Sequence, residues 1–306
     1  MSWFEGFETR RFQVNGVEIF ARLSGPADAP ADAPALLLLH GYPQTHVIWH
    51  RVAQALSGRF RLVLPDLRGY GDSSRPVGDA DHANYSKRTL ALDLAELMTQ
   101  LGHDQFGVAG HDRGGRVAHR LAVDHPQRVS RLALIDIAPT LDMYAATEMR
   151  LASAYFHWFM LIQPAPLPER LLGGDPRYFL HRMLGGFGIE GSAAASLAYI
   201  EPEALLEYER CFARPDALHA SCEDYRASAS IDLVHDRASR AAGQKIACDT
   251  LVLWGARGIV GQLFQPLALW QAQCSAQVSG AAIASGHFIP EECHAETAAL
   301  LLRHFG

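Results

Sequence analysis

Short apolar runs that alternate with helical patterns constrain the fold of this chain more than any other feature of its sequence. Five of these runs are ALLLL at 35–39, RLVL at 61–64, QFGVA at 105–109, RLALIDI at 131–137 and TLVLW at 250–254. Continuous apolar runs of this length are typical of strands that are buried on both faces. Between two of them, leucine and methionine recur at helical spacing over residues 90–101. The alternation predicts an α/β fold with a mostly parallel sheet flanked by helices.

The start of this pattern and a gap within it define the predicted domains. Residues 10–23 alternate apolar and polar positions around Asn15-Gly16, as a tight hairpin does. After Pro139 the strand runs stop, and the proline- and glycine-rich stretches QPAPLP and GGDP follow. We therefore expect an α/β core at 1–140 and 226–306 with an inserted helical cap at 141–225.

Charge and cysteine usage exclude several classes of partner. The net charge is −6 and the 27 lysine and arginine residues are spread along the chain, so we expect neither nucleic acid nor a membrane as partner. The first residues are acidic where a signal peptide needs an apolar core, and no apolar run reaches the length of a membrane span, which favours a cytoplasmic protein. The five cysteines lack metal-ligand spacing, so we expect reduced thiols and no metal site.

The segment Gly110-His111-Asp112-Arg113-Gly114 follows a predicted strand and begins a predicted helix. Small residues on both sides of Asp112 permit a sharp turn that raises the central side chain above the sheet, as a nucleophile requires. An aspartate that merely caps the helix is the structural alternative. The position directly after a buried strand, together with the partners below, favours Asp112 as the nucleophile.

A nucleophile of this kind needs a histidine base and an orienting acid. His287 lies between the last strand-like stretch and the terminal helix, where the chain order nucleophile, acid, base places the histidine. The acid would ordinarily follow the last of the five runs, yet no aspartate or glutamate occurs between Thr250 and Pro290. We therefore predict Asp136, at the carboxyl end of an earlier strand, as the acid, with a turn-forming aspartate as the alternative.

An aspartate nucleophile restricts the chemistry. Its attack on an acyl carbonyl would give a labile anhydride, whereas its attack on an sp3 carbon leaves an alkyl ester, so halides and epoxides are favoured as substrates. His287 would then activate the water that hydrolyses the ester. In the segment HGYP at 40–43, the backbone N–H of Tyr42 is predicted to pair with that of Arg113 as an oxyanion hole; a plain turn is the alternative.

Taken together, these motifs resemble those of the fluoroacetate (haloacetate) dehalogenases of the α/β-hydrolase superfamily. The similarity covers nearly the whole chain: HGYPQTH-x-x-WHR at 40–51, DLRGYGDS at 66–73, GHDRGGR at 110–116, DIAPT at 136–140, HW at 157–158, QPAPLPE-x-LLGGDP at 163–176, CEDYRA at 222–227 and SGHF-x-PEE at 285–292. The resemblance implies an α/β-hydrolase fold with a helical cap and a homodimer. Haloalkane dehalogenases and epoxide hydrolases share GHD-x-GG, but commonly with tryptophan after the aspartate.

Arg113 and Arg116 distinguish this chain from those relatives. They are three residues apart at the start of a helix, hence on one face, where the helix dipole also favours anions. They indicate an anionic substrate, because a guanidinium fork binds a haloacetate carboxylate that Asp112 would otherwise repel. Two solvated arginines are the alternative.

The resemblance also implies that His157, Trp158 and Tyr225 bind the leaving halide, since each carries an N–H or O–H donor. From the residues alone, aromatic side chains in a helical cap are most often packing residues. The chain departs from the family at Phe187, where these enzymes carry a tryptophan that lines the pocket. The loss of an indole N–H there is expected to alter selectivity among halogens.

The sequence thus predicts a cofactor-free dehalogenase that converts fluoroacetate or another short 2-haloacid to the 2-hydroxyacid and halide through an aspartyl ester. One alternative is an epoxide hydrolase with the same nucleophile, in which cap tyrosines act as acids. Another is a non-catalytic binding protein of the same fold. The arginine after the nucleophile and the His-Trp pair count against the first, and the complete catalytic set counts against the second.

Overall fold

The structure, a computed structural model, describes residues 3–24, 33–185 and 197–306. Within these residues eight strands form one sheet. They are β1 (Glu8–Val14), β2 (Val17–Leu23), β3 (Ala35–Leu39), β4 (Arg61–Pro65), β5 (Phe106–His111), β6 (Val129–Ile135), β7 (Asp249–Gly255) and β8 (Val278–Ile283). Their order across the sheet is β1-β2-β4-β3-β5-β6-β7-β8.

The pairing of the strands confirms the predicted mostly parallel sheet. β1 and β2 form the expected hairpin, with Val14 opposite Val17, and β2 is also antiparallel to β4. All other neighbouring strands are parallel. The central strands β3 and β5 are buried along their whole length, which explains their continuous apolar runs. β8 is an edge strand with exposed residues, so no apolar run marks it in the sequence.

Helices cover both faces of the sheet and fill its connections. In the described part of the chain they are α1 (His50–Leu56), α2 (Lys87–Gln100), α3 (Arg113–Asp124), α4 (Thr140–Ala145), α5 (Met149–Ala154), α6 (Phe156–Leu161), α7 (Leu167–Gly174), α8 (Pro176–Leu184), α9 (Pro202–Phe212), α10 (Pro215–Ala229), α11 (Ile231–Ala241), α12 (Ile259–Leu263), α13 (Pro266–Gln273), α14 (Ile289–Glu292) and α15 (His294–Phe305), with 3₁₀ helices at His46–Trp49 and Ala83–Tyr85. Among these described helices, none combines the length and hydrophobicity that crossing a bilayer requires.

The connection between β6 and β7 carries the helices α4 to α11. No strand of the sheet falls within its described residues, as expected for an inserted helical region. Helix α10 is continuous across residue 225, so the boundary predicted there lies inside a helix. The division into core and cap at residues 140 and 225 stays a prediction.

The strand order places the carboxyl ends of β3, β5 and β6 side by side. Residues 40–43 follow β3, Asp112 follows β5 and Asp136 follows β6. Because parallel strands end at the same edge of a sheet, these three segments meet there. His287, in the loop between β8 and α14, reaches the same edge, where its side chain contacts Asp136.

Candidate active site

Asp112 occupies a sharp turn between β5 and α3. Its backbone has φ 46° and ψ −115°, which a residue with a side chain rarely adopts. The flanking glycines make room for the turn: a Cβ atom on Gly110 would lie 2.4 Å from the Gly114 carbonyl oxygen, and one on Gly114 would lie 2.3 Å from the His40 carbonyl oxygen. The Asp112 side chain makes no capping hydrogen bond to α3. The turn therefore presents the carboxylate to the edge of the sheet.

His287 lies between two carboxylates. Its Nδ1 donates to Asp136 Oδ2 at 2.5 Å, and its Nε2 lies 3.9 Å from Asp112 Oδ2. The other Asp136 oxygen accepts from the Gly255 N–H at 2.8 Å. The structure thus brings together the predicted nucleophile, base and acid. Asp136, at the end of β6, contacts His287 where an acid following β7 would ordinarily do so, since no aspartate or glutamate follows β7 before Pro290.

Two further side chains fix the loop that carries His287. The Glu292 carboxylate accepts from the backbone N–H groups of Gly286 at 2.6 Å and Phe288 at 2.9 Å. The Nε2–H of His111 donates to the His287 carbonyl oxygen at 2.8 Å. Neither role was predicted from the sequence: His111 belongs to the turn segment around Asp112, and Glu292 ends the motif SGHF-x-PEE. Hydrogen bonds on both sides of His287 hold its ring in register with Asp112.

The electrostatics of the site suit a carboxylate nucleophile with a nearby base. Burial alone would raise the pKa of Asp112, but His287, His111 and the two arginines outweigh it and hold that pKa below its ordinary value. Burial alone would lower the pKa of His287, but the hydrogen bond and charge of Asp136 outweigh it and raise that pKa. Asp112 is therefore ionised over the neutral range, and the imidazole is a stronger base than a free histidine.

One backbone donor already contacts the predicted nucleophile. The Tyr42 N–H donates to Asp112 Oδ1 at 2.9 Å. A Cβ atom on Gly41 would lie 2.5 Å from Asp112 Cβ, so only glycine allows this close approach. The N–H of Arg113, the second predicted oxyanion donor, forms no hydrogen bond to the Asp112 carboxylate within the described residues, and its role stays a prediction.

The guanidinium of Arg113 is fixed from the cap side. Its Nε donates to Asp224 Oδ2 at 2.8 Å, and its Nη2 donates to the Asp224 carbonyl oxygen at 2.7 Å and to Ser228 Oγ. The guanidinium carbon lies 4.1 Å from the ring centroid of Tyr225. The remaining nitrogen, Nη1, is buried and has no partner among the described residues. Arg113 therefore offers one nitrogen to a ligand, since the edge formed by Nε and Nη2 is occupied.

The side chain of Arg116 has a different environment. Its Nη1 donates to Thr140 Oγ1 at 2.8 Å, and its Nη2 contacts the sulfur of Met143 at 3.3 Å. The guanidinium carbon lies 4.8 Å from the ring centroid of Trp158. Nε has no hydrogen-bond partner, and no carboxylate of the described residues pairs with this arginine. The contacts of this buried cation are with neutral groups, and the charge of Asp112 acts on it only through space, which favours an anionic ligand.

The three predicted halide-binding residues form one buried aromatic cluster. The ring centroids of His157 and Tyr225 are 5.6 Å apart, and those of Trp158 and Tyr225 are 6.4 Å apart. Burial lowers the pKa of His157 to about 3 and keeps the Tyr225 phenol protonated by raising its pKa. All three side chains are therefore neutral groups with N–H or O–H donors. Phe187 lies outside the described residues.

The main group of residues that the sequence analysis missed surrounds Asp224. This buried carboxylate contacts Arg113, accepts from the Tyr70 hydroxyl at 2.6 Å and pairs with the Lys87 ammonium. Asp224 stands beside Tyr225 in the motif CEDYRA, and Tyr70 stands in DLRGYGDS.

No cluster of metal-binding side chains occurs in residues 3–24, 33–185 and 197–306.

Comparison with known proteins agrees with this geometry. Residues 34–292 match the α/β hydrolase fold family. The chain is 43% identical to a fluoroacetate dehalogenase from Burkholderia sp, over 97% of this chain and 93% of the relative. It is 32% identical to a soluble epoxide hydrolase from Corynebacterium sp. (strain C12), over 84% of this chain and 85% of the relative.

A solved structure extends the agreement to the whole fold. A protein from Nostoc sp PCC 7120 that is assigned to the α/β hydrolases superposes with a TM-score of 0.91 at 48% identity, covering 98% of each chain. The chain therefore belongs to the α/β-hydrolase family, and within it to the relatives of fluoroacetate dehalogenase.

Proposed function

We propose that this hydrolase is a dehalogenase of short 2-haloacids, with fluoroacetate or another haloacetate as substrate, which it converts to the 2-hydroxyacid and halide. One observation carries the proposal: two buried arginines stand at the start of the helix that follows Asp112, one with a free Nη1 and one with no carboxylate partner. Two buried cations beside a carboxylate nucleophile suit a substrate that is itself an anion.

The first step is displacement of the halide by Asp112. Oδ1 is held by the Tyr42 N–H, so Oδ2 is the attacking oxygen. The new C–O bond forms as the carbon–halogen bond breaks, and the halide leaves with the electron pair. His157, Trp158 and Tyr225 then hydrogen-bond the departing halide as neutral donors. The product of this step is an ester of Asp112 with the hydroxyacid.

The second step is hydrolysis of that ester by water. The Nε2 atom of His287, on the Asp112 side of the ring, removes a proton from water, and Asp136 stabilises the imidazolium that forms. The resulting hydroxide attacks Cγ of Asp112. Negative charge develops on Oδ1, which the Tyr42 N–H already contacts. Collapse of the intermediate breaks the bond between Cγ and Oδ2, and the departing alkoxide takes the proton from His287 and leaves as the hydroxyacid. No part of this sequence needs a cofactor.

The test is halide release from fluoroacetate, chloroacetate and a neutral 1-haloalkane, measured with an ion-selective electrode. We expect release from the haloacetates only. Arg113→Trp, which places a neutral indole in the arginine's position, should sharply lower halide release from both haloacetates. Release from the haloalkane and not from the haloacetates would contradict the proposal.

A second candidate, epoxide hydrolysis, is favoured by the similarity to the Corynebacterium enzyme and by buried tyrosines at 155 and 225. If neither haloacid releases halide, diol formation from a panel of epoxides would support it. Ligand binding without any turnover would support a binding protein instead.

We also propose that the enzyme is a homodimer, as its resemblance to the haloacetate dehalogenases indicates, and that it acts in the cytoplasm. Light scattering of the purified protein tests the first part. A mass of 33.5 kDa, that of one chain, would contradict it.

A further inference from the structure

Asp224 is the hub of a buried ionic cluster that joins three parts of the chain. Its Oδ2 accepts from Arg113 Nε at 2.8 Å and from the Tyr70 hydroxyl at 2.6 Å, and its Oδ1 pairs with the ammonium of Lys87. Arg113, Lys87 and Asp224 each expose 5% or less of their side chains. A carboxylate that accepts from three side chains at this depth is strongly constrained.

The charges of this cluster balance without a ligand. Lys87 Nζ also lies 3.3 Å from Asp232 Oδ2, so two cations and two carboxylates alternate in the order Arg113, Asp224, Lys87, Asp232. Arg113 is thus neutralised by Asp224 before any substrate arrives. Arg116, which has no hydrogen-bonded carboxylate, is the arginine whose charge Asp112 balances only through space. The two arginines therefore differ in charge environment although they share a helix face.

The cluster also fixes the direction of the Arg113 guanidinium. Three hydrogen bonds to Asp224 and Ser228 occupy Nε and Nη2, and the Tyr225 ring covers one face of the group. Only Nη1 is left, and its position is set by contacts that all come from helix α10. An arginine bound in this way directs a ligand more than it attracts one.

We propose that Asp224 is a positioning residue for the dehalogenation: it holds Arg113 so that Nη1 alone binds the substrate carboxylate and sets the α-carbon in line with Asp112 Oδ2. This inference rests on the proposed function and assigns different roles to the two arginines. Arg116 supplies the charge that attracts the carboxylate, and Arg113 supplies its orientation. Asp224 itself touches neither the substrate nor the reacting atoms.

The test is Asp224→Asn, in which two effects oppose each other. Removal of the negative charge strengthens the attraction of a carboxylate to Arg113, whereas release of the guanidinium misplaces it. We expect the affinity for acetate, measured by NMR titration, to be unchanged or higher, and kcat for chloroacetate to fall by about 10- to 100-fold. A merely structural role would not divide binding from turnover in this way.

A double-mutant cycle with Arg113→Met shows whether the effect passes through Arg113. If Asp224 acts by positioning, Asp224→Asn has no further effect on kcat in the Arg113→Met background. An equal loss in both backgrounds, or a normal kcat in the single variant, would overturn the inference. Asp93→Asn is the matched control, because Asp93 forms a buried two-point pair with Arg68, at 2.7 and 2.8 Å, away from this cluster. We expect it to leave kcat unchanged.

Ser228→Ala keeps the test decisive if Asp224→Asn does not fold. It removes the hydrogen bond that Arg113 Nη2 donates to Ser228, and a longer one from Ser228 to Asp232 at 3.4 Å, without changing any buried charge. We expect kcat to fall by about 2- to 10-fold, and this loss to vanish in the Arg113→Met background. An unchanged kcat would overturn the inference. If the wild-type protein releases no halide at all, both the proposed function and this inference fail. If the wild-type protein is active and the variants are unaffected, only this inference fails.

Discussion

The two sides of the candidate site are held in place by different kinds of contact. On the sheet side, backbone N–H groups of Tyr42 and Gly255 hold Asp112 and Asp136, and the Glu292 carboxylate holds the backbone beside His287. On the side formed by helices α6 and α10, here called the cap side, side chains hold side chains: Asp224 and Ser228 fix Arg113, and His157, Trp158 and Tyr225 pack on one another.

This difference separates the residues proposed to react from the residues proposed to determine which substrate binds. A backbone donor persists whichever side chain stands at its position, so the proposed catalytic residues Asp112 and Asp136 keep these contacts when nearby side chains change. The cap side depends on the identity of each side chain, and one substitution there alters which leaving group or anion fits. We therefore expect sheet-side variants to lose activity towards all substrates alike, and cap-side variants to lose it unequally.

Asp112→Asn should have the largest effect. The amide is not a nucleophile, so we expect kcat to fall by about four orders of magnitude or more, by analogy with other nucleophile deletions. Halide release at high enzyme concentration measures it. The loss should be the same for fluoroacetate and bromoacetate; a loss that depends on the halogen would contradict the assignment to the sheet side.

His287→Gln should stop the reaction after its first step. Without the base, hydrolysis of the ester slows by about 10²- to 10⁴-fold, while displacement continues. We expect one halide released per active site and, by intact-protein mass spectrometry, a carboxymethyl group on Asp112. A variant that neither releases this first halide nor accumulates the ester would show that His287 also acts in the displacement.

Arg116→Met should weaken activity towards anions selectively. Loss of this cation, which has no carboxylate in contact, removes a charge-assisted interaction with the substrate, for which kcat/KM falls by about 10- to 150-fold. The neutral isostere chloroacetamide provides the control, because its turnover does not depend on that charge. Equal losses for chloroacetate and chloroacetamide would mean that Arg116 supports the fold of the site and not the recognition of a carboxylate.

The pH dependence should separate the two steps on the sheet side. His287 must be neutral to accept a proton, and its pKa is raised, so steady-state turnover falls as the pH drops through a value above that of free histidine. The pKa of Asp112 is lowered, so displacement continues in that range. A stopped-flow halide assay at acidic pH should show a burst of one equivalent followed by slow turnover. Loss of the burst together with the turnover would contradict this order of titration.

Trp158→Phe should have the smallest effect and the most selective one. It removes one N–H donor and keeps a ring against Arg116. Because fluoride needs the strongest hydrogen bonds as it leaves, we expect about a 5- to 10-fold loss with fluoroacetate, comparable to one hydrogen bond, and a smaller loss with bromoacetate. Competition between the two substrates in one reaction measures the ratio, and an unchanged ratio would argue for a packing role.

The sheet side could be predicted from the sequence because local rules determine it. The glycines around Asp112 mark the turn, the order of the motifs marks His287, and the absence of acids after Thr250 points to Asp136. Each of these inferences uses residues close in sequence or an elimination over a short stretch. The strand-end geometry then brings the segments together, since parallel strands share an edge.

The cap side could be predicted only in part. The pair Arg113 and Arg116 can be recognised in the sequence, but their hydrogen-bond partners cannot. Asp224 lies 111 residues from Arg113, and Thr140 lies 24 residues from Arg116. Asp224 and Ser228 occupy the Nε and Nη2 edge of Arg113, a contact that the sequence does not reveal, and the predicted guanidinium fork stays a prediction. Long-range pairing of buried charges leaves no periodic signal in a single sequence.

The hydrogen bonds from Arg113 to helix α10 also bear on how substrate preference can be exchanged between relatives. The arginine is encoded beside the nucleophile, whereas the contacts that give it a direction are encoded more than a hundred residues later. A chimera that received only another protein's cap would keep its own Arg113, but the side chains that orient this arginine would come from the other protein. Substrate preference therefore depends on two distant segments, and recombination would have to transfer the segment that carries Arg113 together with helix α10.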